Sequence, residues 1–350
     1  MTDPSSLSPG SRYLSAADVM AAMPPIEQRL QLAQRTLEAL VADAQLPAKI
    51  AVHPRGADSF GHAMPAWLRG RDPSGSGDLL GIKWVVGFPD NASPAADIAA
   101  GGGPGAALPV IPAIHGTVIL SDALTGVSRA IMDAGPITAQ RTAAVSGVAI
   151  ARWAPSVVGR RMRIGLVGAG IQAASHLPVV AHLLPGSDLA ITDRDVTRAE
   201  ALAATARSGG ALRRVTVAPD AASAIHGADV VITVVSFGAD RQAVPAEAFA
   251  PGTLVVAVDY DMCVPALVVD EAALFLVDER GQFLASRSSG IFAGYPDPAA
   301  TIGEALLAGT SRPQGRVVVT HLGVGLADVV FGDAILRAAE ERGLGTILPR

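Results

Sequence analysis

The sequence predicts an α/β fold in two parts: a doubly wound parallel sheet and an N-terminal α+β domain that the C-terminal helix completes. From "RRMRIGLVGAG" onward, apolar strand-like runs alternate with helical segments, as in a parallel sheet covered by helices. Before that point, strand-like runs follow one another between turn residues, which indicates an antiparallel meander. The tail, "RVVVTHLGVGLADVVFGDAILRAAEERGLG", indicates a strand, a glycine turn and a long amphipathic helix.

The chain is long enough for two domains, since it has 350 residues of which 50% are hydrophobic. We predict that residues 1–143 and 325–350 form the α+β domain. Residues 144–324 are predicted to form the parallel-sheet domain, because the alternation of strands and helices covers this part of the chain.

Composition and charge exclude several classes of protein. A net charge of -5 without a basic face argues against nucleic acid as a partner, and seven histidines without HxH or HExxH spacing argue against a metal. The single cysteine, Cys263, excludes an internal disulfide and fits a reducing compartment. The segment "MTDPSSLSPGSRYL" lacks a signal-peptide pattern and is expected to be a disordered leader. No uncharged apolar run reaches about 18 residues, so we expect a soluble, cytoplasmic protein without a membrane span.

In the first part of the chain, predicted helices precede and follow a set of predicted strands. Apolar spacing predicts helices in "SAADVMAAM" and "PPIEQRLQLAQRTLEALVADA". Strand-like runs bounded by turns follow in "AKIAVH", "HAMPAWL", "LLGIKWVVGF" and "GTVILSDALTG". A further helix is predicted in "PITAQRTAAVSGVAIARWAP", with Thr138 as its N-cap and Arg141 in its first turn.

The second part of the chain alternates between strands and helices. Strands are predicted in "RIGLVGAG", "DLAITDRD", "RRVTVAP", "DVVITVVS" and "GTLVVAVDYD". The segments between them, "IQAASHLPVVAHLL", "VTRAEALAATARSG", "DAASAIHGA" and "PAEAF", are predicted to be helices. Because helices join successive strands, the strands are expected to be parallel.

The stretch "VGAGIQA" lies between the first of these strands and its helix. Gly168 permits a tight turn, and Gly170 lets the backbone approach a pyrophosphate, whose charge a helix N-terminus favours. Ala173 replaces the third glycine of the usual pattern. Asp193 ends the second strand near the position of a ribose-binding carboxylate, which predicts a Rossmann-type site that favours NAD(H). Arg194 keeps NADP(H) possible, and an ordinary glycine-rich turn is the structural alternative.

Lys83 lies within an apolar run of a chain that has one other lysine, Lys49. Burial of an unpaired ammonium is unfavourable, and lysine is the cation that responds most readily to loss of water. We therefore expect Lys83 to pair with a ligand. The alternative is a lysine whose stem packs while its ammonium reaches solvent.

Two arginines and a histidine are candidates for holding an anionic ligand. Arg141, beside small residues, suits a planar carboxylate held by two donors, and a salt bridge on the helix surface is the alternative. Arg55, in "HPRGADSFGHAMP", is a candidate for a second carboxylate contact. His62 and Met64 follow in the same segment as candidate pocket residues, although an isolated histidine more often lies at the surface or in a satisfied core.

Two aspartates, Asp259 and Asp261, follow the apolar strand in "VVAVDYDMCVP". Ligands of parallel sheets bind at the carboxyl ends of strands, so a carboxylate there is a candidate for proton transfer. An ordinary loop aspartate is the alternative. Cys263 is expected to fill buried space rather than to act as a nucleophile.

These motifs, in this order, resemble those of the ornithine cyclodeaminase/mu-crystallin family. The resemblance runs over nearly the whole chain, from "HPR" and "HAMP" through "GIKWVVGFPDN", "LTG", "RTAAVS", "VGAGIQA" and "VDYD" to "HLGVGLAD". The matched residues belong to the lysine strand, the arginine helix, the glycine turn and the acid after the fifth Rossmann strand: Lys83, Pro89, Asn91, Arg141, Gly168, Gly170, Gln172, Ala173 and Asp261.

The resemblance implies a homodimer that pairs through the N-terminal meander, with substrate binding and dimerisation assigned to the first domain. It implies NAD(H) or NADP(H) as cofactor and a small α-amino or α-imino acid as substrate, lying between the domains. Arg55, Lys83 and Arg141 would contact the substrate carboxylate, and Asp261 would transfer the proton, with Lys83 as a second catalytic candidate. The cofactor-binding residues that it implies are Gly168, Gly170, Ile171, Gln172, Asp193, Arg194, Thr233, Val234 and Val324.

We therefore predict an NAD(P)-dependent oxidoreductase acting on a CH–NH group, either an amino-acid dehydrogenase or an imine reductase. One alternative is an ornithine cyclodeaminase-type ammonia lyase that uses NAD+ catalytically, and another is a non-catalytic, crystallin-like binding protein. Two departures disfavour the diamine substrate of the cyclodeaminases. His62 stands where they have an acidic residue before Met-Pro, and the sequence Asp259-Tyr260-Asp261 replaces their Gly-Gly-Asp.

Overall fold

The computed structural model describes residues 10–55, 59–88, 91, 112–238 and 240–349. The chain separates into two compact units, which we call the sheet unit and the Rossmann unit. The sheet unit comprises Met1–Pro24, Asp43–Thr138 and Gly325–Arg350, and the Rossmann unit comprises Pro25–Ala42 and Ala139–Val324. Pro89, which belongs to the family resemblance, lies outside the described residues, as do residues 1–9 of the predicted leader.

The strands of the sheet unit form one mixed sheet. They are β1 (Ser11–Leu14), β2 (Ala44–Gln45), β3 (Ile50–Val52), β4 (Phe60–Leu68), β5 (Leu79–Gly87), β6 (Ile114–Ser121), β7 (Ser128–Asp133) and a C-terminal strand, Thr346–Leu348. Across the sheet the order is the C-terminal strand, β1, β7, β6, β5, β4 and β2, with β3 also paired to β4. The predicted meander is confirmed, because β4, β5, β6 and β7 pair antiparallel in sequence order.

Strand β1 corrects one expectation about the N-terminus. The prediction of a disordered leader is wrong for residues 11–14, because these residues pair with β7 on one side and with the C-terminal strand on the other. The pairing with β7 is parallel, which makes the sheet mixed rather than purely antiparallel.

The Rossmann unit contains a parallel sheet. Its strands are β8 (Arg163–Val167), β9 (Asp188–Thr192), β10 (Arg214–Val217), β11 (Val230–Thr233), β12 (Leu254–Ala257), β13 (Leu274–Val277), β14 (Ala300–Thr301) and β15 (Val317–Thr320). Their order is β10-β9-β8-β11-β12-β15-β13-β14, and every pair is parallel. The order reverses between β8 and β11, and ligands of such sheets bind at the carboxyl ends beside this point. The predicted fold class is confirmed.

Helices accompany both sheets. In chain order they are α1 (Ala16–Ala21), α2 (Ile26–Ala42), α3 (Ala134–Trp153), α4 (Ile171–Leu183), α5 (Val196–Ser208), α6 (Ala221–Ile225), α7 (Ala266–Asp270), α8 (Arg280–Ser288), α9 (Ile302–Leu307) and α10 (Gly325–Glu341). A short 3-10 helix spans Ala246–Ala248. Strands β11, β12 and β15 are buried at every residue, as expected for parallel strands covered on both faces. Within the described ranges, no helix is both long and apolar enough to cross a membrane.

Helix α2 belongs to the Rossmann unit, whereas the predicted boundary includes it in the α+β domain of residues 1–143. The helix approaches α9 closely, since a Cβ on Gly303 would lie 2.0 Å from the carbonyl oxygen of Leu37. The Arg29 side chain also hydrogen-bonds Gln140 of α3. These contacts explain why α2 groups with the parallel sheet.

Helix α3 begins earlier than the sequence predicts. Its first residue is Ala134, so Thr138 lies inside the helix and is not its N-cap. The side chain of Asp133 accepts a hydrogen bond from the N–H of Gly135 at 2.8 Å, which is the contact that an N-cap makes. Arg141 therefore lies in the third turn of the helix rather than in the first.

Candidate active site

The glycine turn after β8 has the geometry of a nucleotide-binding turn. Gly168 has a φ of +105°, and a Cβ there would lie 2.8 Å from the carbonyl oxygen of Val234. Both conformation and space therefore require glycine. At Gly170, which precedes α4, a Cβ would meet no described atom within 4 Å. The turn thus leaves open space before a helix N-terminus, where backbone N–H groups attract anions.

Asp193 lies beside this turn, just after β9. Its Oδ2 accepts a hydrogen bond from the N–H of Ala169 at 2.6 Å, and its Oδ1 accepts one from the N–H of Asp195 at 2.9 Å. The carboxylate therefore lies where the ribose-binding acid of a dinucleotide site is found. Arg194 next to it is exposed, as is Ile171 at the start of α4.

The carboxyl ends of β11 and β12 bring Thr233 and Asp259 together. The Thr233 hydroxyl donates to Asp259 Oδ1 at 2.7 Å, and the N–H of Val235 donates to Oδ2 at 3.2 Å. Burial raises the pKa of Asp259 to about 6, although both hydrogen bonds oppose this shift. A carboxyl group with this pKa exchanges its proton near neutral pH.

Asp261 is fully buried and is held by hydrogen-bond donors. Arg241 contacts its Oδ1, and the N–H of Phe292 donates to its Oδ2 at 2.8 Å. Each oxygen of the carboxylate thus accepts from one donor. Tyr260, between the two aspartates, has a φ of +62°, and such strained residues concentrate at functional sites.

Arg141 lies against the glycine turn that follows β15. A Cβ on Gly323 would lie 2.6 Å from Nη1 of Arg141, and Gly323 has a φ of +82°. Asp278, at the end of β13, accepts a hydrogen bond from the N–H of Gly323 at 2.7 Å. Val324, which follows Gly323, is buried, as is Arg141 itself. Gly323 thus contacts the predicted carboxylate-binding arginine and directly precedes Val324, a predicted cofactor-binding residue.

A chain of three buried side chains links α3, α4 and the end of β15. Ser146 Oγ lies 2.7 Å from His176 Nε2 and 2.9 Å from His321 Nε2. His176 Nδ1 donates to the carbonyl oxygen of Gln172 at 2.7 Å, so its Nε2 accepts from the serine when the ring is neutral. The serine has one proton to give, and His321 must therefore donate to it.

Both histidines of this chain are neutral at pH 7. Burial lowers the pKa of His176 to about 4 and lowers the pKa of His321 well below its usual value. The positive charge of Arg141 is a further, smaller cause at His321.

Lys83 lies on the inner face of the mixed sheet, the face that α10 covers. Strand register aligns it with Met64 of β4 and Val118 of β6, and all three side chains are buried. Its ammonium forms an ion pair with Asp328 of α10 at 2.7 Å, and the two side chains are 3% and 0% exposed. A protein carboxylate therefore contacts Lys83, the cation that was predicted to pair with a ligand.

His62 lies on β4 near this pair. It is half-buried and stacks on Phe60 with ring centroids 4.6 Å apart. Burial lowers the pKa of His62 to about 4, and the positive charges of Lys49, His53 and Lys83 add to the effect. The ring is therefore neutral at pH 7.

Two predicted residues lie at the margins of described segments. The Arg55 side chain is exposed, and its backbone N–H donates to the hydroxyl of Ser59 at 2.7 Å. Asn91 is partly buried and stands between residues that the structure does not describe. Among the described residues, no three His, Cys, Asp or Glu side chains are grouped so that they would hold a metal.

The structure adds residues that were not predicted from the sequence. Asp328 contacts Lys83, Arg241 contacts Asp261, and Asp278 holds the Gly323 turn. A usable signal existed for Asp328 alone, because it is an acid within the apolar helix of "GLADVVFGDAIL". Arg241 and Asp278 follow strands at positions where loop residues are common, so their types carried no distinct signal.

The parallel sheet and its glycine turn place this chain among proteins with a Rossmann-type nucleotide-binding unit, here accompanied by a mixed-sheet unit. A family model described as the ornithine cyclodeaminase/mu-crystallin family matches residues 14–272. The chain belongs to this family, and the predicted resemblance is confirmed.

The chain is also similar to individual proteins. The "Nodulation efficiency protein NfeD" of Rhizobium meliloti is 30% identical over 344 residues, which cover 96% of this chain and 98% of the relative. The L-lysine cyclodeaminase of Streptomyces rapamycinicus is 31% identical over 248 residues, which cover 67% of this chain and 68% of the relative. The structure of Thermococcus litoralis Delta(1)-pyrroline-2-carboxylate reductase, in complex with NADH and L-proline, matches with a TM-score of 0.75 at 20% identity. That match covers 96% of this chain and 100% of the other.

Proposed function

We propose that this chain is an NAD(P)-dependent oxidoreductase acting on the CH–NH group of a small α-amino or α-imino acid. The observation that carries the proposal is the Gly168 turn with Asp193 beside it, because it gives a member of this family a dinucleotide site. The comparisons support the substrate class, since one relative is named for L-lysine and one structural neighbour for a cyclic imino acid with NADH.

The residues around the glycine turn fit a dinucleotide. Open space before α4 suits a pyrophosphate, and the carboxylate of Asp193 suits ribose hydroxyl groups. The chemistry that a bound nicotinamide supplies is hydride transfer to or from the α-carbon of the substrate. We assign cofactor binding to Gly168, Gly170, Ile171, Gln172, Asp193, Arg194, Thr233, Val234 and Val324.

Cationic side chains are assigned to the substrate carboxylate. Lys83 and Arg141 are buried cations with several N–H donors each. Because they are buried, the surrounding protein restricts the directions in which these donors point. Arg55 is assigned as a third contact, and the neutral His62 and Met64 as neighbours of the ligand. Directed donors fix the α-carbon for reaction, which lowers the entropic part of the barrier.

The reaction needs one hydride and one proton. In the reductive direction the C=N carbon gains the hydride and the nitrogen gains the proton, which yields the amine and the oxidised cofactor. We assign the proton to Asp261, which takes it from the amine during oxidation and returns it during reduction. Its contacts with Arg241 and Phe292 support this role, because they hold the carboxylate of Asp261 in one orientation for directed proton transfer.

Absorbance at the reduced-nicotinamide band tests the proposal. The wild-type protein is mixed with NADH or NADPH and with cyclic imino acids, or with 2-oxo acids plus amines. We expect stoichiometric loss of the reduced cofactor with at least one substrate. Ammonia and a cyclic product formed from L-ornithine or L-lysine at constant absorbance would instead establish a cyclodeaminase. Cofactor binding without turnover across the panel would establish a binding protein.

A glycine pair tests the cofactor site separately. Gly168→Ala places a side chain 2.8 Å from a backbone oxygen at a φ of +105°, so we expect loss of NADH binding. Gly159→Ala is the control, because Gly159 also has a positive φ, +78°, but lies in open space before β8. Equal NADH affinity in the two variants, measured by fluorescence titration, would show that the Gly168 turn does not bind the cofactor.

We also propose that the chain forms a homodimer through the outer face of the mixed sheet. Register places Pro65, Ile82, Ile119 and Ile131 in one row on the face opposite Lys83, and all four are only partly buried. Trp84, which follows Lys83 on β5, is 43% exposed. An apolar face of this kind fits a second copy of the same sheet.

Light scattering after size-exclusion chromatography tests this assembly. The wild-type chain should elute with twice the mass of one chain, and Trp84→Arg should shift the population to monomer. Val158→Arg is the control, because Val158 is 93% exposed in the Rossmann unit. A monomeric wild-type chain would overturn the proposal.

We propose the cofactor preference from Asp193 and Arg194, and the cellular location of the protein from Cys263. Asp193 repels the 2′-phosphate of NADP(H), so NAD(H) is the preferred cofactor, while the exposed Arg194 keeps NADP(H) usable. Cys263 is buried as a free thiol, which supports a reducing, cytoplasmic location.

A further inference from the structure

Lys83 meets its carboxylate partner because α10 lies exceptionally close to the strands beneath it. A Cβ on Gly325, at the start of α10, would lie 2.5 Å from the carbonyl oxygen of Met64. A Cβ on Gly81 of β5 would lie 3.0 Å from a methyl group of Val329. Two glycines therefore allow the first turns of the helix to touch β4 and β5.

The same contact determines where Asp328 points. Gly325 and Asp328 are three residues apart and therefore share one face of α10. Met64, which Gly325 touches, lies directly opposite Lys83 in the β4–β5 register. The helix thus delivers Asp328 to Lys83 through backbone packing, and the helix N-terminus favours a carboxylate at this position.

The described residues that the strand register aligns with Lys83 carry no charge. Met64 and Val118, its register neighbours, are apolar, and His62 on the same strand is neutral. The positive charge of Lys83 is matched by the negative charge of Asp328 at 2.7 Å. The pair therefore offers a ligand directed N–H donors rather than net positive charge.

We propose that Asp328 is the positioning residue of Lys83, which it holds in one place so that the ammonium meets the substrate carboxylate from a fixed direction. This inference rests on the proposed function, in which Lys83 binds that carboxylate. A lysine head on a four-carbon stem has many rotamers, and a fixed donor contributes more to orientation than a mobile one. Asp328 acts through Lys83 and is not assigned a contact with the substrate.

Steady-state kinetics with two imines test the inference. The first probe is 1-pyrroline-2-carboxylate with NADH, and the second is 1-pyrroline, which lacks the carboxylate. Asp328→Asn keeps the shape of the side chain and removes its charge, and Asp328→Glu keeps the charge and moves it by one methylene. Asp333→Asn is the matched control, because Asp333 lies on the same helix and pairs with Arg129 at 3.2 Å.

We expect Asp328→Asn to raise KM for 1-pyrroline-2-carboxylate about 10- to 100-fold, as expected when one partner of a buried charge pair is lost. The value of kcat should change less than about threefold, and Asp328→Glu should recover part of the loss. KM for 1-pyrroline and the Kd for NADH should stay at wild-type values, as should every parameter of Asp333→Asn. A purely structural role would not produce a loss confined to the carboxylated substrate.

Two results would overturn the inference: a wild-type KM for the carboxylated imine in Asp328→Asn, or an equal rise of KM for both imines. If Asp328→Asn does not fold, Asp328→Glu decides, and a wild-type KM in that variant has the same consequence. Lys83→Met separates this inference from the proposed function. If that variant also binds the carboxylated imine normally, the role of Lys83 itself is wrong.

Discussion

The carboxyl ends of the parallel strands and the inner face of the mixed sheet both hold buried charges, but they obtain them differently. At the strand ends, the buried Asp259 and Asp278 and the partly buried Asp193 each follow a strand within two residues, and hydrogen bonds from nearby backbone or hydroxyl groups hold them. On the inner face, Lys83 lies in the middle of β5, and its partner Asp328 comes from a helix near the end of the chain.

The difference shows two ways in which a fold holds a charge in place. A parallel sheet collects its acids at one edge because every strand ends there, so each acid is placed by its own strand. The ion pair of the mixed sheet depends instead on register and on the close approach of α10. Substitutions of the strand-end acids should therefore change catalytic rates. Substitutions of Lys83 or Asp328 should change the free energy of unfolding as well.

The largest expected effect comes from the strand-end acid Asp261. Asp261→Asn should lower kcat by about 10²- to 10⁴-fold, because general acid–base help is of this size, with NADH affinity nearly unchanged. Asp229→Asn is the control, because Asp229 is a paired, buried carboxylate at the amino end of β11. If Asp259→Asn has the larger effect on kcat, the proton passes through Asp259 instead.

The next effect concerns stability and the inner face. Lys83→Met leaves the carboxylate of Asp328 buried without its counter-charge, so the free energy of unfolding should fall by about 3–5 kcal/mol. The double variant Lys83→Met/Asp328→Leu should recover most of this loss, because apolar replacement of a buried pair is often neutral. Urea denaturation measures both, with Lys49→Met as the control. A loss no larger than that of the control would contradict the account of the pair.

A third effect is a dependence of the free energy of unfolding on pH, which arises from the buried His176 on α4. His176 has a pKa of about 4 when folded and about 6.5 when unfolded, so the unfolded chain binds more protons between these values. Its contribution to the free energy of unfolding is complete above pH 6.5 and is lost as the pH falls towards 4. The loss is about 3 kcal/mol, because each pKa unit corresponds to about 1.4 kcal/mol. His321 acts in the same direction, and Asp259, with a raised pKa, acts in the opposite one.

Denaturation of wild type and His176→Asn between pH 7 and pH 4.5 isolates this contribution. The variant should lose less stability over this range than the wild type. His226→Gln, a change at an exposed histidine, should leave the dependence of stability on pH as it is in the wild type. An identical dependence in His176→Asn would show that burial does not suppress protonation of this ring.

The smallest expected effect concerns the choice of cofactor. Asp193→Ala removes the carboxylate that we propose disfavours a 2′-phosphate, so the preference for NADH over NADPH should fall about tenfold, or about 1.4 kcal/mol. The ratio of kcat/KM for the two cofactors measures it. An unchanged ratio would place Asp193 outside the ribose site.

The strand-end region was largely predictable because its signals are local. The alternation of apolar strands with helices predicts the parallel sheet, and the glycine turn and the acids follow directly after strands. The short strands β13 and β14 were not predicted. β14 comprises two residues, too few to show a period, and β13 was missed although its run "LFLV" is as apolar as those of β11 and β12.

The inner face was predictable only in part, because long-range contacts determine it. The sequence shows that Lys83 is an unusual cation in an apolar run, but nothing local connects it with Asp328. The pairing of β1 with β7 and with the C-terminal strand also joins distant segments. The start of α3 was missed because the capping residue, Asp133, also ends β7.

The central claim is that a hydride passes between a nicotinamide bound at the Gly168 turn and the α-carbon of an imino acid. Mass spectrometry of the product formed with NADH deuterated at the transferable C4 position tests it most directly. The account predicts an amino acid that carries one deuterium at its α-carbon. An unlabelled product, with all the deuterium retained in the cofactor, would contradict it.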